Sequence, residues 1–469
     1  MKKTKIVCTV GPASSSKPVV EKMFHAGMNG ARINTAYGDL DQYESIVQTI
    51  RQVAEIPVIV DIKGPEIRIE ADHPKTLCKN DVIEVGFKGE ICFNHDLYEK
   101  IAVNDLILID NGRIRSLVVE KQNRKLYLKI LNGGIIEDGK GVNIPSKQLC
   151  LPTLSKRDLE IIKFAKKFDV EYVALSFTRN AKDVENLSKD HKFEGAVIAK
   201  IENHEGVANI EEITDIASGI MVARGDLGIE IEPEKVPLVQ KSIIRLCNQK
   251  GKLVITATEM LESMIHQICP TRAEVSDVAN AILDGSDAVM LSGETAVGEY
   301  PIEAVKMMAL ISNEIEKVVK SNVEDTSFIN ISDTVSRAIQ RICQTMPVDK
   351  VVTLTRSGYT ARMITRFKIS QPIIAVTPNS KVKKQLEVMF GVEPVMIDYL
   401  DETDRISKVG KQLCELGLLK AKETVLFTAA VRTEMEHASN SIEIHKTDEL
   451  QDFACGNHTV KHGSSNDAK

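Results

Sequence analysis

The chain of 469 residues contains no tryptophan, and aromatic side chains make up only 4% of it. That shortage alone excludes little, but other absences say more. The nine cysteines, Cys8, Cys78, Cys92, Cys150, Cys247, Cys269, Cys343, Cys414 and Cys455, include no CxxC pair. An odd, widely spaced set argues against a disulfide framework and fits reduced thiols of a cytoplasmic protein. Positive charge is not in excess: 60 Lys plus Arg stand against 66 Asp plus Glu, a net charge of −6. No nucleic acid is therefore expected as the main partner. No apolar run approaches the roughly 18 residues of a membrane span. The apolar stretch Ile6 to Val10 is too short for a signal peptide and reads as a first strand. No GxGxxG follows it, which disfavours an open dinucleotide-binding sheet.

What is present is alternation. Short runs rich in Val, Ile and Ala occupy 5–11, 30–35, 58–64, 172–177, 197–202, 219–225, 253–259 and 288–294. Helix-like stretches separate them, one opening at Ser155 with Asp158 three residues on, the pattern of a capped N-terminus. Eight strand–helix units imply right-handed βαβ connections and a closed (β/α)8 TIM barrel. The pattern breaks over 69–143, where short strands meet turns such as Asp110-Asn111-Gly112 and Asn132-Gly133-Gly134. The expected layout is a barrel over 1–68 and 144–325 with an all-β lid inserted over 69–143. A C-terminal α/β domain follows over 326–446, and a disordered polar tail over 447–469.

One strand is unusual. In VIAKIENHEG, Val197 to Gly206, an apolar start is followed by Lys200 and Glu202. Residues two apart on a strand share a face. Buried charges are costly unless paired or bound to a metal, so the plain reading is a salt bridge. The other strands decide against so small a role. Arg32 and Asn34 end the second, and Asp61, Lys63, Glu66 and Arg68 end or follow the third. Arg224 and Asp226 lie just past the sixth, Thr258 and Glu259 end the seventh, and Ser292, Gly293 and Glu294 end the eighth. Polar groups gathered at the C-terminal ends of barrel strands mark a site. Glu202 and Asp226, on neighbouring strands, suit Mg2+ or Mn2+, with water and substrate oxygens completing the shell. Arg32, Lys200 and Arg68 supply charge for a phosphate or carboxylate. The glycines of RGDLG (224–228) bring amides beside that carboxylate. The residues alone thus describe a divalent-metal barrel enzyme for a small anionic metabolite.

These stretches resemble the pyruvate kinase family. The resemblance runs through KIVCTVGPAS, GMNGARIN, DIKGPEIR, GKGVNIP, KIENHEGV, MVARGDLG, ATEMLESM, PTRAEVSDVANAILDGSDAVMLSGETAVGEYP and TRSGYTAR, in the family's order. It implies phosphoryl transfer from phosphoenolpyruvate to ADP, giving pyruvate and ATP, with Mg2+ or Mn2+ and K+. It makes Glu202 and Asp226 the divalent-metal ligands, and Lys200 the cation that stabilises the transferring phosphoryl group and the enolate. Arg32 becomes a phosphate-binding residue. Thr258, beside the Gly225 and Asp226 amides, lies near the substrate carboxylate and joins Ser292 in a proton relay. Arg68, Lys140, Pro12 and Asn34 become nucleotide contacts, and a homotetramer is implied.

The sequence departs from the family in places. Its N-F-S-H-G reads Asn34-Thr35-Ala36-Tyr37-Gly38, so a serine hydroxyl of the K+ site is lost. Asn34, Asp61 and the Ile62 carbonyl remain for K+, with weaker affinity expected. The turn Thr355, Ser357, Gly358, Thr360 corresponds to a loop that binds a phosphorylated effector. The following family loop carries glycines, whereas here it reads Ala429-Ala430-Val431-Arg432. Two other readings compete: a pyruvate-enolate barrel lyase and a catalytically inactive metabolite sensor. The first would not need the lid or Lys140. The second would be expected to have lost Lys200 or a metal ligand.

Overall fold

A computed structural model describes residues 2–64, 66–145, 147, 149, 151–320, 331–399, 404–430 and 439–452. The chain forms two compact units, one of residues 2–319 with 387–390 and one of the remaining C-terminal residues. In the first, eight parallel strands close into a barrel in chain order. They are β1 Lys5–Thr9, β2 Gly30–Asn34, β3 Val58–Ile62, β4 Tyr172–Leu175, β5 Ala196–Ile201, β6 Gly219–Ala223, β7 Leu253–Ala257 and β8 Ala288–Leu291. Closure pairs Lys5 of β1 with Ala288 of β8. β1, β3, β6 and β7 are buried at every position rather than at alternate ones. Parallel strands covered on both faces require such continuous apolar runs.

The chain leaves the barrel after β3 through Gly64, whose φ is +69°. A side chain there would be strained, and its Cβ would sit 3.2 Å from the Ser176 carbonyl. The lid that follows is a seven-stranded antiparallel sheet. Its strand Ile67–Ala71 pairs Ile67 with Val142 and Arg68 with Gly141. The lid therefore begins two residues earlier than the sequence suggested, and Arg68 belongs to it. The chain re-enters the barrel at the helix Lys156–Lys167. Ser155 Oγ accepts from the Asp158 N–H at 3.1 Å, and Asp158 Oδ2 accepts from the Ser155 N–H at 2.7 Å. This reciprocal cap is the one its sequence signature implied.

The C-terminal unit holds a five-stranded sheet ordered Val392–Met396, Ile373–Thr377, Lys350–Leu354, Thr424–Ala429, Ser441–Lys446. The last strand is antiparallel and was not foreseen. It lies at the sheet edge and alternates Ile442 and Ile444 with Glu443 and His445, so it lacks a continuous apolar run. The expected disordered tail also starts too early. Thr447–Asp452 is a helix, and Leu450 is buried in the same cluster as Phe427 and Leu413. Thr447 Oγ1 donates to the Lys420 carbonyl at 2.8 Å and fixes its start. The rest of that tail, and Val431 and Arg432, lie outside the described residues.

At the N-terminal end of the barrel, the carboxylate of fully buried Glu171 joins β3 to β4. Both its oxygens accept from Arg51 Nη2 at 2.7 Å, and Oε2 also accepts from the Val58 N–H at 2.9 Å. Removing the cation alone would leave a buried charge poorly compensated. Arg51→Met is expected to destabilise the fold by about 3 kcal/mol. A fall in the thermal unfolding midpoint, with the folded-state circular dichroism spectrum unchanged, checks this.

Candidate active site

Lys200 lies near the end of β5 with Glu202 just beyond it, and their charges do meet. Lys200 Nζ is 2.8 Å from Glu202 Oε1. The pair is one edge of a larger cluster. Lys200 Nζ also donates to Asp61 Oδ1 at 3.2 Å and to Ser176 Oγ at 2.7 Å. Asp61, on β3, accepts from Arg32 Nε through its other oxygen at 2.7 Å. Arg32 Nη1 reaches Thr9 Oγ1 at 2.9 Å. Thus β1 to β5 each supply a group to one buried cluster at or just beyond their C-terminal ends. Arg32, Asp61, Ser176, Lys200 and Glu202 are all under one-tenth exposed.

The electrostatics follow from that burial. Burial pulls the Lys200 ammonium toward neutrality, but Asp61 and then Glu202 outweigh it and hold it above its ordinary value. Burial would raise Asp61, yet the Arg32 guanidinium and the Lys200 ammonium keep it below the usual carboxylate range. Glu202 behaves in the opposite way. Burial pushes it up to about 7 against the pull of Lys200, with Asp226 adding to the rise. Its Oε2 accepts from the Phe177 N–H at 2.7 Å. Its Oε1 is buried and is engaged by the ion pair with Lys200.

Between the lid and the barrel mouth lies a cavity of about 830 Å³. Arg68, Asp110 and Lys140 line it from the lid, and Asp226, Glu230 and His204 from the barrel. Arg68 is held by Glu66 and by the Gly139 carbonyl, and Lys140 stands 3.3 Å from Asp110 and 3.2 Å from Glu137. Asn143 of the lid donates to Glu230 of the barrel at 2.7 Å. The cavity wall also includes Tyr37, an exposed ring.

The other expected residues fall in several places. Thr258 Oγ1 accepts from the Gly225 N–H at 2.8 Å and stands 2.6 Å from the Ala257 carbonyl. The Gly225 amide is thereby already engaged. Ser292 Oγ is buried and has no hydrogen-bond partner among the described residues. Its N–H donates to Glu294 Oε2 at 2.7 Å. Glu294, fully buried, also takes the Leu261 N–H at 3.0 Å and so joins two loops. Asn34 Oδ1 accepts from the Ala36 N–H at 3.1 Å, Ile62 ends β3, and Pro12 is exposed. Among the residues of the turn after Lys350–Leu354, Thr355 and Thr360 are buried and Ser357 is exposed. Thr360 Oγ1 lies 3.0 Å from Ser439 Oγ, and Gly358 has φ +76°.

Sequence reasoning missed two partners of the cluster, Ser176 and Thr9. Ser176 is an uncharged residue one position beyond β4, and that position was its only signal. Arg224, counted with the charges at the mouth, turns elsewhere. It bonds Asp277 at 2.7 Å and the Thr258 carbonyl at 2.7 Å.

A closed barrel with an inserted lid and a buried ion cluster at its strand ends defines a barrel enzyme that handles a small anion. Comparison with known proteins narrows the class. Residues 1–305 match the family model "Pyruvate kinase, barrel domain", and residues 333–445 match "Pyruvate kinase, alpha/beta domain". The chain belongs to the pyruvate kinase family, and it is a phosphotransferase of glycolysis. Pyruvate kinases of Staphylococcus aureus strains MRSA252 and USA300 are 39% identical over 474 aligned positions, covering 95% of this chain and 80% of theirs. A solved pyruvate kinase from Cryptosporidium parvum superposes with a TM-score of 0.88 at 32% identity, covering 95% and 96% of the two chains.

Ser176 offers Lys200 a neutral acceptor that neither carboxylate replaces. A hydrogen bond to a charged group contributes about 1.5–3 kcal/mol, so Ser176→Ala should lower kcat on the order of tenfold. The KM for phosphoenolpyruvate should move little, because the ammonium keeps its charge through Asp61 and Glu202. Steady-state kinetics on the purified variant give both values.

Proposed function

We propose that the buried cluster carries phosphoryl transfer from phosphoenolpyruvate to ADP, with Lys200 as its central residue. One observation carries this reading: a buried lysine held charged at the barrel mouth, 2.8 Å from the Glu202 carboxylate and 3.2 Å from that of Asp61. In the reaction the bond from phosphorus to the enol oxygen breaks and a bond to the terminal ADP oxygen forms. The enolate left behind takes a proton at carbon and becomes pyruvate. Lys200 faces the migrating group and the developing enolate, and Arg32 binds phosphate oxygens. Preorganised charge of this kind is usually the largest catalytic contribution. Thr258, through water, delivers the proton, and the unpartnered Ser292 hydroxyl extends that relay. Arg68 and Lys140 approach the nucleotide from the lid, with Asn34 and Pro12 on the barrel side. Thr355, Ser357, Gly358 and Thr360 hold a phosphorylated effector. The enzyme works in the cytoplasm as a homotetramer.

A divalent cation fits this site. Glu202 Oε1 is a buried carboxylate oxygen engaged only by an ion pair among the described residues, and Asp226 is close enough to raise the Glu202 carboxyl. Two carboxylate oxygens suit Mg2+ or Mn2+, which keep open positions for water and substrate. No cluster of three or more His, Cys, Asp or Glu that could hold a metal occurs among the described residues, so the protein alone would not complete the shell. The cation, held by Glu202 and Asp226, would supply charge neutralisation for the transferring phosphoryl group. Potassium fits less well. Asn34 Oδ1 already accepts one hydrogen bond, Asp61 Oδ1 two and Asp61 Oδ2 one. Few lone pairs are left, and Ala36 brings no side-chain oxygen.

A coupled assay with phosphoenolpyruvate and ADP tests the reading. Lys200→Met should lower kcat by on the order of 10² or more while raising KM far less. Glu202→Gln or Asp226→Asn should abolish divalent-cation-dependent turnover with the fold intact by circular dichroism. A pure KM effect in the lysine variant, or full activity in both carboxylate variants, would refute the assignment. Initial rates compared in KCl and in tetramethylammonium chloride at equal ionic strength address potassium. Activation that saturates only at high KCl is expected, and equal rates would mean that K+ is not used.

A further inference from the structure

We infer that Arg224 is a positioning residue for Thr258, holding the Thr258–Glu259 turn in a conformation that neither residue favours by itself. This rests on the reading of Thr258 as the group that delivers the proton. β7 ends at Ala257, and the next two residues have φ of +65° and +52°. Threonine is β-branched, and such a residue in the left-handed region is a genuine outlier. Strain of this kind persists only where the surroundings over-determine it.

Arg224 is what surrounds it. It is the first residue of the helix Arg224–Glu230 and is largely buried. Its Nη2 donates to the Thr258 carbonyl at 2.7 Å and the Glu259 carbonyl at 3.1 Å. Its Nη1 is anchored on Asp277 Oδ1 at 2.7 Å, from the helix Arg272–Leu283, and reaches Gln240 Oε1 at 3.4 Å. A planar fork can grip two successive carbonyls and a carboxylate together, and a lysine ammonium cannot match that geometry. The next residue completes the hold, since the Gly225 N–H donates to Thr258 Oγ1 at 2.8 Å. The third, Asp226, is the carboxylate assigned to the divalent cation. One helical turn therefore fixes the backbone of Thr258, its hydroxyl and the metal-facing carboxylate. Arg224 does not line the cavity. It acts on the reaction through Thr258.

The test is a double-mutant cycle on the full-length enzyme. Two rates are read: kcat with phosphoenolpyruvate and ADP, and exchange of pyruvate methyl protons for deuterium in D2O with ATP and Mg2+, followed by NMR. Thr258→Ala should slow the exchange. Arg224→Gln should slow it on the order of tenfold with a much smaller change in KM, and Arg224→Lys should not restore it. In the Thr258→Ala background, adding Arg224→Gln should change exchange by less than about twofold, because coupled residues are not additive. Multiplicative losses would show a general structural role and overturn the inference, as would normal exchange in a folded Arg224→Gln enzyme. Unchanged exchange in Thr258→Ala would instead refute the reading of Thr258, and the inference with it. If Arg224→Gln does not fold, Asp277→Asn loosens the anchor alone. It should give a smaller loss with the same non-additivity, and additivity there would overturn the inference.

Discussion

Asp61 is shared by two buried cations, and the mouth of the barrel is arranged around that fact. Arg32 takes one of its oxygens and Lys200 the other. A buried ammonium without such a partner would lose its proton or unfold its surroundings. Paired as it is, Lys200 is charged before any substrate arrives. Charge fixed in advance needs no reorganisation during the reaction, which is why it is effective on a transferring phosphoryl group. The same constraint explains why β1 to β5 all contribute. Thr9 satisfies the outer nitrogen of Arg32, Ser176 satisfies Lys200, and the Phe177 amide satisfies one Glu202 oxygen. Glu202 Oε1 meets Lys200 as an ion pair at 2.8 Å, so the same ammonium serves both carboxylates.

The parts of this arrangement visible in the sequence are those governed by periodicity. Two-residue spacing placed Lys200 and Glu202 on one face, and recurrence of polar residues at strand ends located the mouth. Capping chemistry located the helix that starts after Ser155. The parts that were hidden depend on direction rather than position. Arg224 occupies a mouth position like Arg32, yet one points into the cluster and the other back to Asp277 and the Thr258 carbonyl. Strand spacing cannot distinguish them, because both are arginines close to the C-terminal end of a barrel strand, one within it and one just past it. Ser176 was hidden for another reason. A small hydroxyl residue after a strand is common and uncharged, so only its contact with Lys200 reveals its use. The edge strand Ser441–Lys446 escaped because an edge needs one apolar face, not two.

The lid shows how a local pairing sets a boundary. Ile67 and Arg68 read as the end of the barrel segment, but they pair with Val142 and Gly141, the last strand of the insertion. Entry and exit of the lid are thereby fastened together as neighbouring strands. Asn143, one residue further, reaches Glu230 on the helix that carries Asp226. The lid is thus tied to the barrel mouth at its own root, close in the chain to the cavity-lining Arg68 and Lys140.

The replacement of a serine hydroxyl by Ala36 must be weighed against what surrounds it. Glu66 would add negative charge near Asp61 if it stood alone. It does not, because Arg68 bonds it and Lys63 lies 3.3 Å away. Two cations thereby offset in part the charge that a monovalent metal would otherwise have to balance. These pairs are partly exposed, so their contribution is screened and small compared with the buried cluster. The buried part has its own balance. With every group ionised, Arg32 and Lys200 match Asp61 and Glu202, and Asp226 leaves one negative charge in excess. A divalent cation reverses that sign, whereas a monovalent cation only cancels it. Under the proposed reading, charge therefore favours the divalent ion at Glu202 and Asp226, and the hydroxyl missing at Ala36 is the smaller change.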